Sequence, residues 1–275
     1  MDVKTALVTG ASSGIGEATA LKLRDLGFTV YGAARRIERV ECIAGDGIKP
    51  LAMDVTDDES MRTGVERIIS ERARIDVLVN NAGYGSYGAI EDVPLSEARR
   101  QFEVNVFGLA RLTQLVLPHM REQHAGTVIN ISSMGGKIYT PLGGWYHATK
   151  FAVEALSDCL RIETKPFGIN IVVIEPGGIK TEWGDIAAKQ LLEASGEGPY
   201  RDQARAMAKL LSSEASSRQG SSPSVVANAV AKAVTAEQPK TRYAIGFGAK
   251  PLIAIRRLLP DRAYDKLITR VSRIP

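Results

Sequence analysis

Thr9-Gly10-Ala11-Ser12-Ser13-Gly14-Ile15-Gly16 follows an apolar run at 4–9 and opens an amphipathic stretch at 14–26, where Ile15, Ala18, Leu21 and Leu23 share a face. A buried strand, a glycine-rich turn and a helix in that order describe the start of a βα unit. Glycines at 10, 14 and 16 permit a tight turn and let the backbone approach a pyrophosphate. The helix N-terminus behind them offers free N–H groups and a dipole that favours an anion. The spacing is Gly-x3-Gly-x-Gly rather than the Gly-x-Gly-x2-Gly of the common dinucleotide fingerprint. A purely structural turn would also use glycines; the strand before and the helix after favour the binding reading.

Outward from this turn, the chain keeps alternating. Strand-like runs lie at 28–33, 49–55, 75–80, 127–132, 170–175 and 242–247. Helical periodicity covers 60–72 (capped by Asp57 or Asp58), 96–119, 146–165 and 223–236. Segment 181–222 is polar, rich in Ala, Ser and Gly, and weakly helical. This alternation predicts an α/β fold, a doubly wound seven-stranded parallel sheet with helices on both faces. No internal repeat or linker interrupts it, so the expected organisation is one domain over 1–249 and an appendage over 250–275.

The chain has 275 residues, 44% of them hydrophobic and 24% charged, which excludes a disulfide scaffold and a disordered chain. Its formal charge is +4, but residues 250–275 carry +5 and the other 249 residues −1. The basic character belongs to the tail, and the neutral body gives no reason to expect nucleic acid. The start, Met1-Asp2-Val3-Lys4, lacks a secretory pattern, and no stretch of 18 apolar residues exists. With only Cys42 and Cys159, the expectation is a cytoplasmic protein. His119, His124 and His147 lack metal-ligand spacing, so no metal site is expected.

Further residues suggest chemistry. The second strand runs into Ala33-Ala34-Arg35-Arg36, with no acidic residue before Glu38. An acidic residue there would bind the ribose hydroxyl of NAD; two arginines suit the extra phosphate of NADP, although a solvated basic turn would look the same. Tyr146 and Lys150 stand four apart on a helix and share a face. A neighbouring ammonium stabilises a phenolate, which would make Tyr146 a general acid or base. Ser132-Ser133 ends the fifth strand, where open α/β sheets bind ligands. Each feature alone is weak, and the set carries the weight.

Taken together, residues 3–181 resemble the short-chain dehydrogenase/reductase family, in its hydroxysteroid/retinol dehydrogenase-like branch. The resemblance rests on the Thr9–Gly16 stretch, on Asn80-Asn81-Ala82-Gly83, and on Asn105 in Val104-Asn105-Val106. It continues with Ser133 standing 13 residues before Tyr146, Tyr146-x3-Lys150, and Pro176-Gly177 followed by Thr181. It implies a catalytic set of Asn105, Ser133, Tyr146 and Lys150. Tyr146 would exchange a proton with the substrate oxygen and Ser133 would hydrogen-bond that oxygen. Lys150 would bind the nicotinamide ribose and depress the tyrosine pKa, and Asn105 would hold a relay water. The implied cofactor is NADP (NADPH). Its binding residues would be Gly10, Ser12, Ser13, Gly14, Ile15, Gly16, Arg35, Arg36, Asp54, Val55, Asn81, Ala82, Gly83, Tyr146, Lys150, Pro176, Gly177, Ile179 and Thr181.

The long segment 182–222 corresponds to the family's variable substrate lid. Trp183, Met134 and Tyr139, with Tyr84, Tyr87, Leu142, Trp145 and Tyr200, are wall candidates beside Ser133 and Tyr146. Such a wall favours a lipophilic ketone or alcohol over a sugar; the alternatives are a 3-oxoacyl thioester reductase and a non-catalytic NADP-binding sensor. His147 is read as a packing or surface residue, and Cys159 as a small core residue rather than a reactive thiol. In the tail, Tyr264, Leu267, Ile268 and Val271 share a helical face, with Asp261 as the expected cap. This helix either docks on the body or a partner subunit, the favoured placement, or lies on an anionic membrane. The long helices 96–119 and 146–165 are the expected pairing surfaces of a homodimer or homotetramer.

Overall fold

The computed structural model describes residues 3–44, 47–212 and 220–272; Arg273 and positions 213–219 of the predicted lid lie outside them. Seven parallel strands form one sheet in the order β3-β2-β1-β4-β5-β6-β7. They are β1 Thr5–Thr9, β2 Thr29–Ala34, β3 Ile48–Ala52, β4 Val77–Asn80, β5 Gly126–Ile131, β6 Ile169–Pro176 and β7 Arg242–Ile245. The helices are α1 Gly14–Asp25, α2 Ile37–Glu41, α3 Asp58–Arg72, α4 Leu95–Phe102, α5 Leu109–Glu122 and α6 Gly144–Thr164. They continue with α7 Trp183–Ser195, α8 Arg201–Leu211, α9 Ser224–Thr235, α10 Ala249–Leu258 and α11 Asp261–Val271.

The strands read as continuous apolar runs because both sheet faces are covered. Side chains alternate between faces along a strand. Ala6, Val8, Val77, Val79, Ile129 and Ile131 pack on one side with Leu23 of α1 and Val230 of α9. Leu7, Leu78 and Val128 pack on the other with Ile68 of α3 and Val116 of α5. The strand order reverses between β1 and β4, which opens a crevice at the carboxyl ends of these two strands.

Two elements differ from the sequence reading. The expected helix 96–119 is interrupted by a π-helical turn at Glu103–Gly108. The bulge accompanies a close approach: a Cβ on Gly108 would stand 2.3 Å from the Val55 carbonyl oxygen. The tail forms two helices, not one. Pro251 falls in the first turn of α10, where backbone N–H groups have no helical partner in any case. Asp261 is not a cap; it is the first residue of α11 and pairs with Arg256 at 2.7 Å. Both helices dock on the body, with Ile253, Tyr264 and Ile268 buried against Ile138. Arg256 sits over the rings of Tyr139 and Tyr264, 5.2 Å from each centroid.

Candidate active site

At the crevice, Gly10 and Gly14 hold φ of 66° and 58°, the left-handed region that favours glycine. Asn81 and Ala82 donate their backbone N–H to Thr9 Oγ1, both at 3.0 Å, and Asn81 Nδ2 donates to the Thr9 carbonyl at 2.9 Å. The 81–83 segment is thereby stitched to the loop. Ser13, at the α1 N-cap, makes no side-chain cap bond, so the first turn keeps its N–H donors for an anion. Thr181 arrives on the other side, its Cγ2 3.1 Å from where a Gly14 Cβ would be.

Arg35 and Arg36 emerge exposed at the end of β2. Asp54 is occupied locally, its Oδ1 accepting from Thr56 N and Oγ1 at 2.9 and 2.8 Å. Gly177 is fixed by packing: a Cβ there would lie 2.1 Å from the Phe247 carbonyl oxygen. Ile179 forms a bridge with Ser221.

Ser133 begins the turn Met134–Gly136 directly after β5, its Oγ accepting from Gly135 N at 3.0 Å. Tyr146 is buried in the first turn of α6, and burial pushes its phenol up to about 12 against a hydrogen bond to Ser133 that pulls it down. The sequence predicts the opposite direction from the Lys150 ammonium; here the pull downward comes from the Ser133 hydrogen bond, and desolvation in this packed site outweighs it. Lys150 is buried too. Its Nζ donates to the Ile131 carbonyl at 2.9 Å, and burial pulls it down to about 8 against the pull of Glu154. A Cβ on Gly83 would lie 3.0 Å from Asn105 Oδ1 and 3.8 Å from Lys150 Nζ, so these three residues adjoin. The Asn105 amide accepts from Tyr84 N at 3.0 Å and donates to Tyr84 O at 2.9 Å and Thr149 Oγ1 at 3.1 Å. The π turn thus ties the 84 loop to α6.

A profile of the short chain dehydrogenase family matches residues 4–191. The chain belongs to the short-chain dehydrogenases. It is 38% identical over 267 residues to the 3-ketodihydrosphingosine reductase of Bacteroides thetaiotaomicron, covering 95% of each chain. It is 37% identical over 278 residues to the NADPH-dependent 3-dehydrocapnine reductase of Ornithobacterium rhinotracheale, covering 96% of each. A short-chain dehydrogenase structure from Streptomyces avermitilis superposes with a TM-score of 0.83 at 35% identity, covering 99% of this chain and 98% of that one.

In this short-chain dehydrogenase α7 and α8 pack over the tyrosine. Trp183, at the start of α7, stands 5.2 Å from the Tyr146 ring and 6.0 Å from Tyr87, which is itself 5.7 Å from Tyr146. Leu142, Ala187, Leu191, Met207 and the partly buried Tyr200 complete this apolar cluster. Two expected wall residues fall elsewhere. Met134 and Tyr139 pack with the tail, and the Tyr139 hydroxyl donates to Asp265 at 2.8 Å. The helical turn after Ser133 rotates both toward α10 and α11. Trp145 also turns away, lining a groove with Leu95, Phe102 and Phe107. Cys159 is exposed, not in the core, because it falls on the outward face of α6.

Sequence reasoning underrated His147. It is buried, with Nδ1 2.9 Å from Gly135 O and Nε2 accepting from Thr140 N at 3.0 Å, so it braces the turn carrying Ser133. Thr149, which bridges Asn105 and the Tyr146 carbonyl, was not singled out either. Among the described residues, no group of His, Cys, Asp and Glu is placed to hold a metal, and no helix is long and apolar enough to cross a membrane.

Proposed function

We propose that this oxidoreductase is an NADP(H)-dependent reductase of lipophilic ketones, working in reverse on the corresponding alcohols, with Tyr146 as general acid and base. The observation that carries it is the burial of Tyr146 beside Ser133 under an aromatic and aliphatic lid, next to the glycine-rich crevice. The open first turn of α1 and the compact loop fit a dinucleotide pyrophosphate. Arg35 and Arg36, exposed and with no acidic partner among the described residues, fit a 2′-phosphate. Asn81, Ala82 and Gly83 would line the cofactor, with Ile179 and Thr181 at its carboxamide end. When bound, the nicotinamide supplies the hydride.

The chain's own part is placement and proton transfer. Ser133 Oγ and the Tyr146 hydroxyl hold the carbonyl oxygen, and Tyr146 delivers the proton to it. Lys150, one helical turn after Tyr146 on α6, would supply positive charge on the same face as the phenol. That charge would favour the phenolate, and the oxygen becoming more basic as reduction proceeds would draw the proton from a phenol that burial has pushed up to about 12. Trp183, Tyr87, Leu142 and Leu191 exclude water and favour an apolar substrate. Two relatives have names that place the ketone at carbon 3, which supports a 3-keto lipid and keeps a 3-oxoacyl thioester in the test set.

Three further readings belong with this one. Exposed Phe107, Phe151 and Ile162 on the long helices suit pairing into a homodimer or homotetramer. The outer face of α10 and α11 presents Lys250, Arg257, Arg262, Lys266, Arg270 and Leu258, which suits peripheral contact with an anionic bilayer while the inner face stays docked. The two unpaired cysteines suit the cytoplasm. The deciding experiment is a panel of long-chain methyl ketones, 3-ketosteroids, 3-oxoacyl thioesters and aldoses with NADPH and NADH. Turnover of lipophilic ketones with NADPH is expected; turnover of aldoses alone would overturn the proposal.

A further inference from the structure

Behind Tyr146 and Lys150, away from the lid, lies a cluster of buried charge that the proposed reaction does not use. Glu154 follows Lys150 by one helical turn on the same face of α6, and its side chain is only 4% exposed. Its Oε2 meets Lys137 Nζ at 2.9 Å and Arg242 Nε at 3.0 Å, while its buried Oε1 has no hydrogen-bond partner. Arg242, from β7, also reaches Asp158 at 2.7 Å and Glu175 of β6 at 3.4 Å. The Glu175 carboxyl is raised above its ordinary range, first by burial and then by Glu154, with Lys137, Arg242 and Arg257 pulling the other way. The turn that carries Ser133 is pressed onto this cluster. A Cβ on Gly136 would lie 2.8 Å from Ser132 Oγ and 2.9 Å from both Glu154 Cγ and the Lys150 carbonyl oxygen.

An ammonium held out of water stays charged only where opposite charge compensates it. Resting on the assignment of Lys150 to the active site, we propose that Glu154 is a positioning residue that keeps the buried Lys150 ammonium protonated, while Lys137 and Arg242 hold the Glu154 carboxylate in place. The active-site lysine is thereby coupled to β6, β7 and the turn after Ser133. Glu154 is the opposing charge against burial of Lys150. Removing its charge leaves Lys137 and Arg242 as uncompensated cations, which lowers the lysine further. Removing Lys137 takes away a cation and raises it.

The test compares wild type with Glu154→Gln, Glu154→Asp and Lys137→Met. Lys150 is titrated by competitive labelling with acetic anhydride and peptide mass spectrometry, which needs no turnover. In parallel, the alkaline limb of kcat/KM is recorded with NADPH and a long-chain methyl ketone. In Glu154→Gln both midpoints are expected to move about one pH unit toward acid. Lys137→Met moves them toward alkali, and Glu154→Asp restores most of the wild-type position. A packing defect lowers rates at every pH and cannot produce shifts of opposite sign. An unchanged lysine titration in Glu154→Gln, or shifts of the same sign in both charge variants, would overturn the proposal. A shifted titration in a protein that turns over no ketone would uphold the coupling and overturn the assigned function instead.

Discussion

Replacing Arg35 and Arg36 tests the cofactor preference quantitatively. Both side chains are exposed at the end of β2, and neighbouring Arg39 is the one that pairs with Glu182 across the crevice mouth, at 3.6 Å. Among the described residues neither guanidinium has an acidic partner to leave before meeting a phosphate. A charge-assisted hydrogen bond to a charged group contributes about 1.5–3 kcal/mol in a protected setting. Solvent screening at this exposed position reduces that to about 1–2 kcal/mol per arginine. Each Ala substitution is then expected to weaken NADPH roughly 5–30-fold, at about 1.4 kcal/mol per factor of ten. NADH, which lacks the phosphate, should change less than about twofold in the same proteins. The assay is cofactor fluorescence titration at fixed ionic strength, with a second salt concentration. The NADPH advantage should shrink with salt in wild type and be nearly flat in the double variant. Equal weakening of NADPH and NADH, or no change in either, would refute the assignment of these two residues.

Trp183→Ala removes the ring packed on Tyr146 and Tyr87; KM for a lipophilic ketone should rise at least tenfold while NADPH affinity holds, by steady-state kinetics and fluorescence titration. Tyr264→Ala empties a fully buried site between the tail and Tyr139, and should cost about 3–5 kcal/mol, visible as a drop in Tm of several degrees. Asp158 is held down to about 2, first by its hydrogen bond to Arg242. Its contribution is present above the ordinary carboxylate pKa and lost as pH falls toward 2, so Arg242→Gln should flatten the acid decline of Tm between about pH 4 and 2.

Much of the fold is legible because a doubly covered parallel sheet writes itself as short apolar runs between amphipathic helices. Every strand expected from those runs is present within a few residues, and the glycines at 10 and 14 occupy the conformations that their turn requires. The site was legible where spacing fixes direction. Tyr146 and Lys150 share a face because a helix places residues four apart together, and Ser133 leaves β5 beside them. Reasoning failed where direction depends on tertiary contacts. The π turn around Asn105 leaves no trace in hydrophobic periodicity, since it is defined by the approach to Val55 and the bonds to Tyr84 and Thr149. Met134 and Tyr139 follow Ser133 closely, yet the intervening turn aims them at the tail. Cys159 looked small enough for the core, but its place on α6 is outward. The Tyr146 phenol was expected to drop because charge is visible in a sequence and desolvation is not.

The most direct measurement is Tyr146→Phe, which removes one hydroxyl and leaves the ring that packs on Trp183 and Tyr87. With NADPH and a lipophilic ketone turned over by wild type, kcat/KM is expected to fall by about 10²–10⁴, the usual contribution of a general acid. NADPH affinity by fluorescence and Tm should stay near wild type. Turnover within a few-fold of wild type would contradict the account.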